Sequence, residues 1–330
     1  VRGTLTIAGR GLQVLLAAGL LLWVGFALHF QMAGWLRITL LAALAFVGCG
    51  FALLAWRRRW GALWIGMAGL LSAAALSWSG VEPRQNRDWR AEVARTVTAD
   101  FNADGTVTLH NVRDFRWKTE TEAAERWESR TYDPDAITSV DMILSVWGSP
   151  LIAHTLVSFG FEDGRHIAFS GEIRKEKGES YSTLGGFFRE YELALIAADE
   201  RDIVHLRTDA RGEEVSLYPI DMPADLRRDL FLALLRLGND LADAPQWYNT
   251  ATKNCTTVPF RLLRRLTDGA PLDAAVLFSG LLPDYTYRLG VLPDGMSLAE
   301  IERRARLGRL GPATEDGVAF SRAMRANWRG

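Results

Sequence analysis

The sequence predicts an α+β protein standing behind three membrane-crossing helices. Three observations lead there. The first 80 residues hold three long apolar runs, a strand pair around the turn Glu162-Asp163-Gly164 follows, and late segments carry leucines at helical spacing. Three parts are expected: residues 1–80 in the membrane, 81–270 as an extracytoplasmic domain, and 271–330 as a helical extension packed on it.

The apolar runs cover about Leu12–Phe30, Leu36–Trp56 and Gly61–Ser79. Each is near the ~20 residues a helix needs to cross the hydrocarbon core. Trp35, Trp56, Trp60 and Trp78 stand at run ends, where indoles favour the interface. Residues 1–80 contain six arginines and no acid, which leaves 32 bases and 39 acids beyond them, a net −7. Arg57, Arg58 and Arg59 fill the turn between the second and third runs, so the positive-inside rule places that turn, with Arg2 and Arg10, in the cytoplasm. Three spans then deliver residues 81–330 to the outer face. An acidic outer part argues against nucleic-acid binding, which needs a basic face.

Beyond a polar connector at 80–92, alternating apolar residues over 94–117 broken by Asn102-Ala103-Asp104-Gly105 predict a β-hairpin. Residues 136–148 are expected to be helical or irregular. "LIAHTLVSFGF" (151–161) and "RHIAFSGEIRKE" (165–176) flank a three-residue turn ending in glycine and form the clearest strand pair. Residues 185–198 and 202–208 are expected as further strand, or as strand joined to a short helix. Leucine spacing predicts a helix over 223–243. A second is expected over 256–267, with Pro259 in its first turn. "SLAE" (297–300) is a capping box opening a charged helix. The apolar "PLDAAVLFSGLLP" (271–283) suits a core helix or a surface that admits an acyl chain.

Only two cysteines exist, and Cys49 lies within the second span. Cys255 is therefore unpaired in a compartment that favours disulfides, and is either an inert buried thiol or one retained for reactivity. It sits at a loop-to-helix junction, where backbone N–H groups and the helix dipole favour a thiolate and can later hold an oxyanion. Such a thiolate wants an imidazole oriented by a third polar group. Strand alternation puts His154, Leu156 and Ser158 on one face. The Glu162-Asp163-Gly164 turn pairs Phe161 with Arg165, so paired positions sum to 326 and His154 falls opposite Glu172. His166 then pairs with Gly160, about 20 Å along the strand, and is the alternative third member should a bulge shift the register. Asn254 and Thr256, which flank the cysteine, and Arg174 and Tyr191 are candidates for oxyanion or pocket support. Arg201 is better explained by structural ion pairs.

A strand histidine, a polar residue on the next strand and an "NC" opening a helix resemble the circularly permuted papain-like, NlpC-type branch of cysteine enzymes. More specifically, "NRDWR" (86–90), "VTLHNVRDFRW" (107–117), "AHTLVSFGFEDG" (153–164), "GEIRKEKGESYS" (171–182), "GGFFREYEL" (185–193), "ADERDIVHLRT" (198–208), "LYP" (217–219) and "TKNCTT" (252–257) resemble the Lnb N-terminal periplasmic domain family over about residues 86–265. That resemblance implies a permuted papain-like domain with an antiparallel sheet and a helix-borne cysteine, on the periplasmic side of a bacterial inner membrane. By position it implies Cys255 as nucleophile, His154 as base, and Glu172 and Arg174 within the family's S-x-E-x-R stretch. Gly171 departs from that stretch, standing where a larger residue is common.

The leading expectation is an acyltransferase that takes a fatty acyl chain from phospholipid as a Cys255 thioester and passes it to an amine, such as a lipoprotein N-terminus. A cysteine peptidase or amidase acting on cell-wall peptides is the second reading, and a non-enzymatic membrane-tethered binding module the third. No zinc spacing, phosphate-cradling glycine loop or nucleotide fingerprint is present, so no metal or cofactor is expected.

Overall fold

The computed structural model describes residues 2–267, 269–311 and 316–328; residues 312–315 and 329–330 of the expected helical extension lie outside the described residues. The chain divides into two units. Residues 1–83 and 181–191 form the first, and residues 84–180 with 192–330 form the second.

The first unit holds α1 (Arg2–Gln31), α2 (Gly34–Trp56) and α3 (Trp60–Ser79). All three are long and apolar enough to cross a membrane, over Ala8–Gln31, Gly34–Trp56 and Trp60–Ser79. Few of their residues are buried against protein, as expected of side chains meant for lipid.

The second unit is built on a nine-stranded mixed sheet. Its strands are β1 (Thr98–Phe101), β2 (Val107–Arg113), β5 (Trp127–Tyr132), β6 (Ile137–Val146), β7 (Ala153–Phe161), β8 (His166–Arg174), β9 (Glu192–Ala198), β10 (Glu214–Ile220) and β11 (Arg306–Leu307); β3 (Arg116–Trp117) and β4 (Ala123–Ala124) pair separately. The order is β1-β2-β9-β8-β7-β6-β10-β11, with β5 also on β2. All pairings are antiparallel except the short parallel contact of β2 with β9.

Both faces of the central strands are covered. In β9, Leu193, Leu195 and Ala197 join a core with Phe159, Phe169 and Phe231, beneath α5 (Ala224–Asp243) and α6 (Thr257–Leu266). Ala194, Ile196 and Ala198 face the opposite core, beneath α4 (Glu200–His205) and α9 (Gly317–Met324). That period of two explains why β9 is buried along its whole length. A third cluster packs α7 (Leu282–Arg288) and α8 (Leu298–Ala305) on β6 and β10.

Two expectations need correction. Residues 137–146 are not helical or irregular but a ten-residue strand between β7 and β10. The alternative of a strand joined to a short helix holds for the segments at 185–198 and 202–208: β9 leads into α4, which runs into a π-helical turn at Leu206–Ala210. The apolar 271–283 segment forms two short 3-10 turns ahead of α7 rather than a core helix, and leaves Leu272 and Leu277 exposed.

Candidate active site

The Glu162-Asp163-Gly164 turn closes as expected. Phe161 N–H donates to Arg165 O at 3.0 Å, Gly164 N–H donates to Phe161 O at 2.9 Å, and Gly164 is left-handed at φ +82. Strands β7 and β8 then pair from Gly160↔His166 to Val157↔Phe169, positions that sum to 326. Pairing stops there although both strands continue, and the turn bearing Cys255 enters the gap. A Cβ on Gly171 would sit 3.5 Å from Asn254 O and 3.5 Å from the Cys255 Cα. A side chain longer than alanine at 171 would meet backbone.

His154 and Glu172, no longer ladder partners, still meet through their side chains. His154 Nε2 lies 3.0 Å from Glu172 Oε1 and 2.6 Å from Ser170 Oγ. Ser170 Oγ donates to Glu172 Oε1 at 2.8 Å, and Arg207 Nη2 donates to the same oxygen at 3.0 Å. His154 is also close enough to Cys255 for each to shift the other's charge state, and the Thr155 N–H favours the charged sulfur. His154, Ser170, Glu172 and Arg207 thus form one hydrogen-bonded chain, to which Cys255 is coupled electrostatically. Cys255 as a residue is only partly buried.

The electrostatics favour charge separation. Burial opposes the His154 imidazolium, but Glu172 and then Cys255 outweigh it and raise its pKa to about 9. Burial would raise the Cys255 thiol, yet the neighbouring imidazolium brings it below its ordinary value. Burial likewise works against the Glu172 carboxylate, while His154 and Arg207 hold it well below the usual range. These directions favour a thiolate–imidazolium pair backed by a carboxylate.

Cys255 lies two residues ahead of α6 rather than within it. The expected oxyanion donors are engaged: Thr256 N–H and Thr257 N–H donate to Asn254 Oδ1 at 2.9 and 2.8 Å. The Asn254 side chain thereby holds the turn ahead of α6, whose N-cap residue is Thr256. Thr256 Oγ1 lies 2.8 Å from Thr155 Oγ1, which ties the turn to β7. Among the described residues, the Cys255 N–H has no hydrogen-bond partner.

The remaining candidates fall elsewhere. His166 stands opposite Gly160, with Nδ1 3.1 Å from Gly164 O, and is not brought to His154. Arg174 stacks on Trp89 at 4.5 Å and donates to Val93 O, Ala94 O and Gln85 Oε1, so it braces the domain's entry segment. Tyr191 is fully buried and groups with the apolar helices, not with the unit holding Cys255. Arg201 pairs with buried Asp114, as a structural residue does. Sequence reasoning missed Ser170 and Arg207. The alternation that paired His154 with Glu172 also puts Ser170 on that face, a usable signal, whereas nothing local marks Arg207. Among the described residues, no group of three or more His, Cys, Asp or Glu is placed to hold a metal ion.

The family model of the Lnb N-terminal periplasmic domain matches residues 123–289, half of the chain. The chain belongs to this Lnb family. The match begins and ends later than the motif series suggested, and it encloses His154, Ser170, Glu172, Arg207 and Cys255. Together with the three apolar helices, it makes this a membrane-associated protein with a periplasmic domain. No curated protein and no solved structure matches the chain.

Proposed function

We propose that this Lnb-family protein is a multi-pass inner-membrane cysteine acyltransferase with a permuted papain-like domain. The observation that carries the reading is the His154–Glu172 pair coupled electrostatically to Cys255, a residue only partly buried. The Cys255 thiolate attacks the ester carbonyl carbon of a phospholipid, forming a C–S bond. As the C–O bond breaks, the His154 imidazolium delivers its proton to the leaving alcohol. Nε2 is engaged with Ser170 and Glu172, so Nδ1 is the atom that serves the sulfur and the leaving group. The Cys255 N–H is the donor left for the oxyanion. An amine, such as a lipoprotein N-terminus, then attacks the thioester; His154 accepts its proton, the C–N bond forms and the thiolate departs.

Three spans would hold this chemistry at a surface where lipid donor and lipid-anchored acceptor are both concentrated. The test is intact-mass spectrometry of the full protein in phospholipid nanodiscs. A fatty-acyl adduct on the Cys255 peptide, absent from Cys255→Ala, is the expected result. No adduct, with cleavage of cell-wall peptides instead, would replace the transferase with a hydrolase. No adduct, no cleavage and a thiol inert to alkylation would leave the binding module.

A further inference from the structure

Residues 181–191 lie between β8 and β9 in the chain, yet they group with the three apolar helices. The Phe188 ring sits 5.7 Å from Phe30, 5.5 Å from Phe26 and 6.2 Å from Trp23, three residues on one face of α1. Gln31 Nε2 donates to the carbonyls of Phe188 and Arg189, both at 2.6 Å. Arg189 Nη1 donates to the carbonyls of Trp78 and Val81 at 2.7 and 3.1 Å, with the guanidinium 4.5 Å over the Trp78 ring. Arg189 itself is left-handed at φ +57, a conformation a non-glycine residue keeps only when its surroundings hold it there. A Cβ on Gly185 would meet the Glu190 carboxylate, which packs against that glycine.

The two anchoring points are the C-terminal ends of α1 and α3, which lie on one side of the bundle. The arginine turn at Arg57–Arg59 lies on the other. Phe26 to Gln31 spans ~7.5 Å of helix at 1.5 Å per residue, about the depth of the polar zone outside the hydrocarbon core. From a segment clasped at that level, Tyr181, Leu184 and Phe187 project with 48%, 50% and 44% of their surface exposed. Three large apolar side chains three residues apart gain nothing by facing water, whereas lipid beside the apolar helices would cover them.

We propose that residues 181–187 form an interfacial segment lying in the outer leaflet, with Tyr181, Leu184 and Phe187 packed among phospholipids. This rests on the three-span reading. The test uses the full chain in nanodiscs with Cys49→Ser and Cys255→Ser, and single cysteines introduced by Leu184→Cys, Phe187→Cys, Phe46→Cys or Thr121→Cys. Each is labelled with an environment-sensitive fluorophore and exposed to lipids bearing a nitroxide near the headgroup or deep in the chain. Positions 184 and 187 should show blue-shifted emission, quenched several-fold more by the shallow nitroxide than by the deep one. Phe46, 79% exposed midway along α2, should respond to the deep one, and Thr121 to neither. Positions 184 and 187 behaving like Thr121 while position 46 reports lipid would overturn the interfacial segment alone. Failure at position 46 as well would overturn the spanning reading and the segment with it.

Discussion

Replacing Glu172 by glutamine keeps its shape and removes its charge, which isolates what that charge does for the thiol. Glu172 Oε1 faces His154 Nε2 at 3.0 Å, Ser170 Oγ at 2.8 Å and Arg207 Nη2 at 3.0 Å. Against the opposition of burial, Glu172 first and Cys255 second move His154 from 6.5 to about 9. At about 1.4 kcal/mol per pH unit that gap amounts to about 3 kcal/mol, and Glu172 supplies the larger part. In Glu172→Gln, moreover, Arg207 faces the imidazole with no anion between them and disfavours its protonation further. Cys255 then loses the imidazolium, which outweighs the small relief from direct repulsion by Glu172. The assay is the rate of iodoacetamide alkylation against pH. The wild-type inflexion should lie below the ordinary thiol range. In Glu172→Gln it should rise into that range, with about 100-fold slower alkylation at neutral pH, the equivalent of about 3 kcal/mol. An unchanged inflexion would refute the charge chain.

Other consequences can be read from the same structure. Arg325 Nη2 donates to Asp141 Oδ2 at 2.6 Å and to Glu200 Oε1 at 2.7 Å, both buried. Arg325→Met should cost about 3–5 kcal/mol in denaturant unfolding at neutral pH, the usual cost of stranding a buried charge. Burial would raise Glu200, but Arg325 holds it at about 2, so this contribution is full above the ordinary carboxylate range and fades as pH falls toward 2. Wild-type and variant midpoints should therefore converge in acid, and a constant gap would contradict the assignment. Asn254→Ala removes the acceptor of the Thr256 and Thr257 N–H groups and should cost about 1 kcal/mol of stability, as loss of an acceptor at a helix start does, with a larger loss of Cys255 alkylation rate because that side chain holds the adjacent turn. Gly171→Ala should leave that rate near wild type, whereas Gly171→Leu should lower it with the fold retained by circular dichroism.

Much of the site was legible because one short turn carries so much information. A three-residue loop with glycine last fixes the register of everything on either side of it. His154 and Glu172 follow from that by counting, and the splaying that admits Cys255 moves their backbones without parting their side chains. Strand β6 was not legible because Asp141 interrupts its apolar run, and the Arg325 that satisfies it lies 184 residues later. Arg207 was hidden for a similar reason. Its segment alternates like a strand, and only the tertiary fold, which buries α4 and its π-helical turn, brings the guanidinium to Glu172. The role of Asn254 was less legible, since an asparagine beside a nucleophile suits both a turn-holding acceptor and an oxyanion donor until its partners are known.

The site is best understood as four alternating charges: the Cys255 thiolate, the His154 imidazolium, the Glu172 carboxylate and the Arg207 guanidinium. Their sum is zero, so the cluster can be largely buried while each charge depends on its neighbours. This predicts a pattern that independent contacts would not produce. Arg207→Met alone removes a cation that opposes the imidazolium, so the thiol inflexion should stay low even if Glu172 is held less firmly. Glu172→Gln alone strands Arg207, whose pKa is already lowered by burial. Combining the two removes the stranded cation, so the double variant should be less destabilised than the single costs together, by about 0.5–3 kcal/mol for groups in one network. Its thiol should nonetheless titrate like that of Glu172→Gln. Chemical denaturation of the four proteins measures the first quantity and alkylation against pH the second. Strictly additive stabilities would mean that Arg207 packs beside Glu172 without sharing its charge, and that the chain ends at the carboxylate.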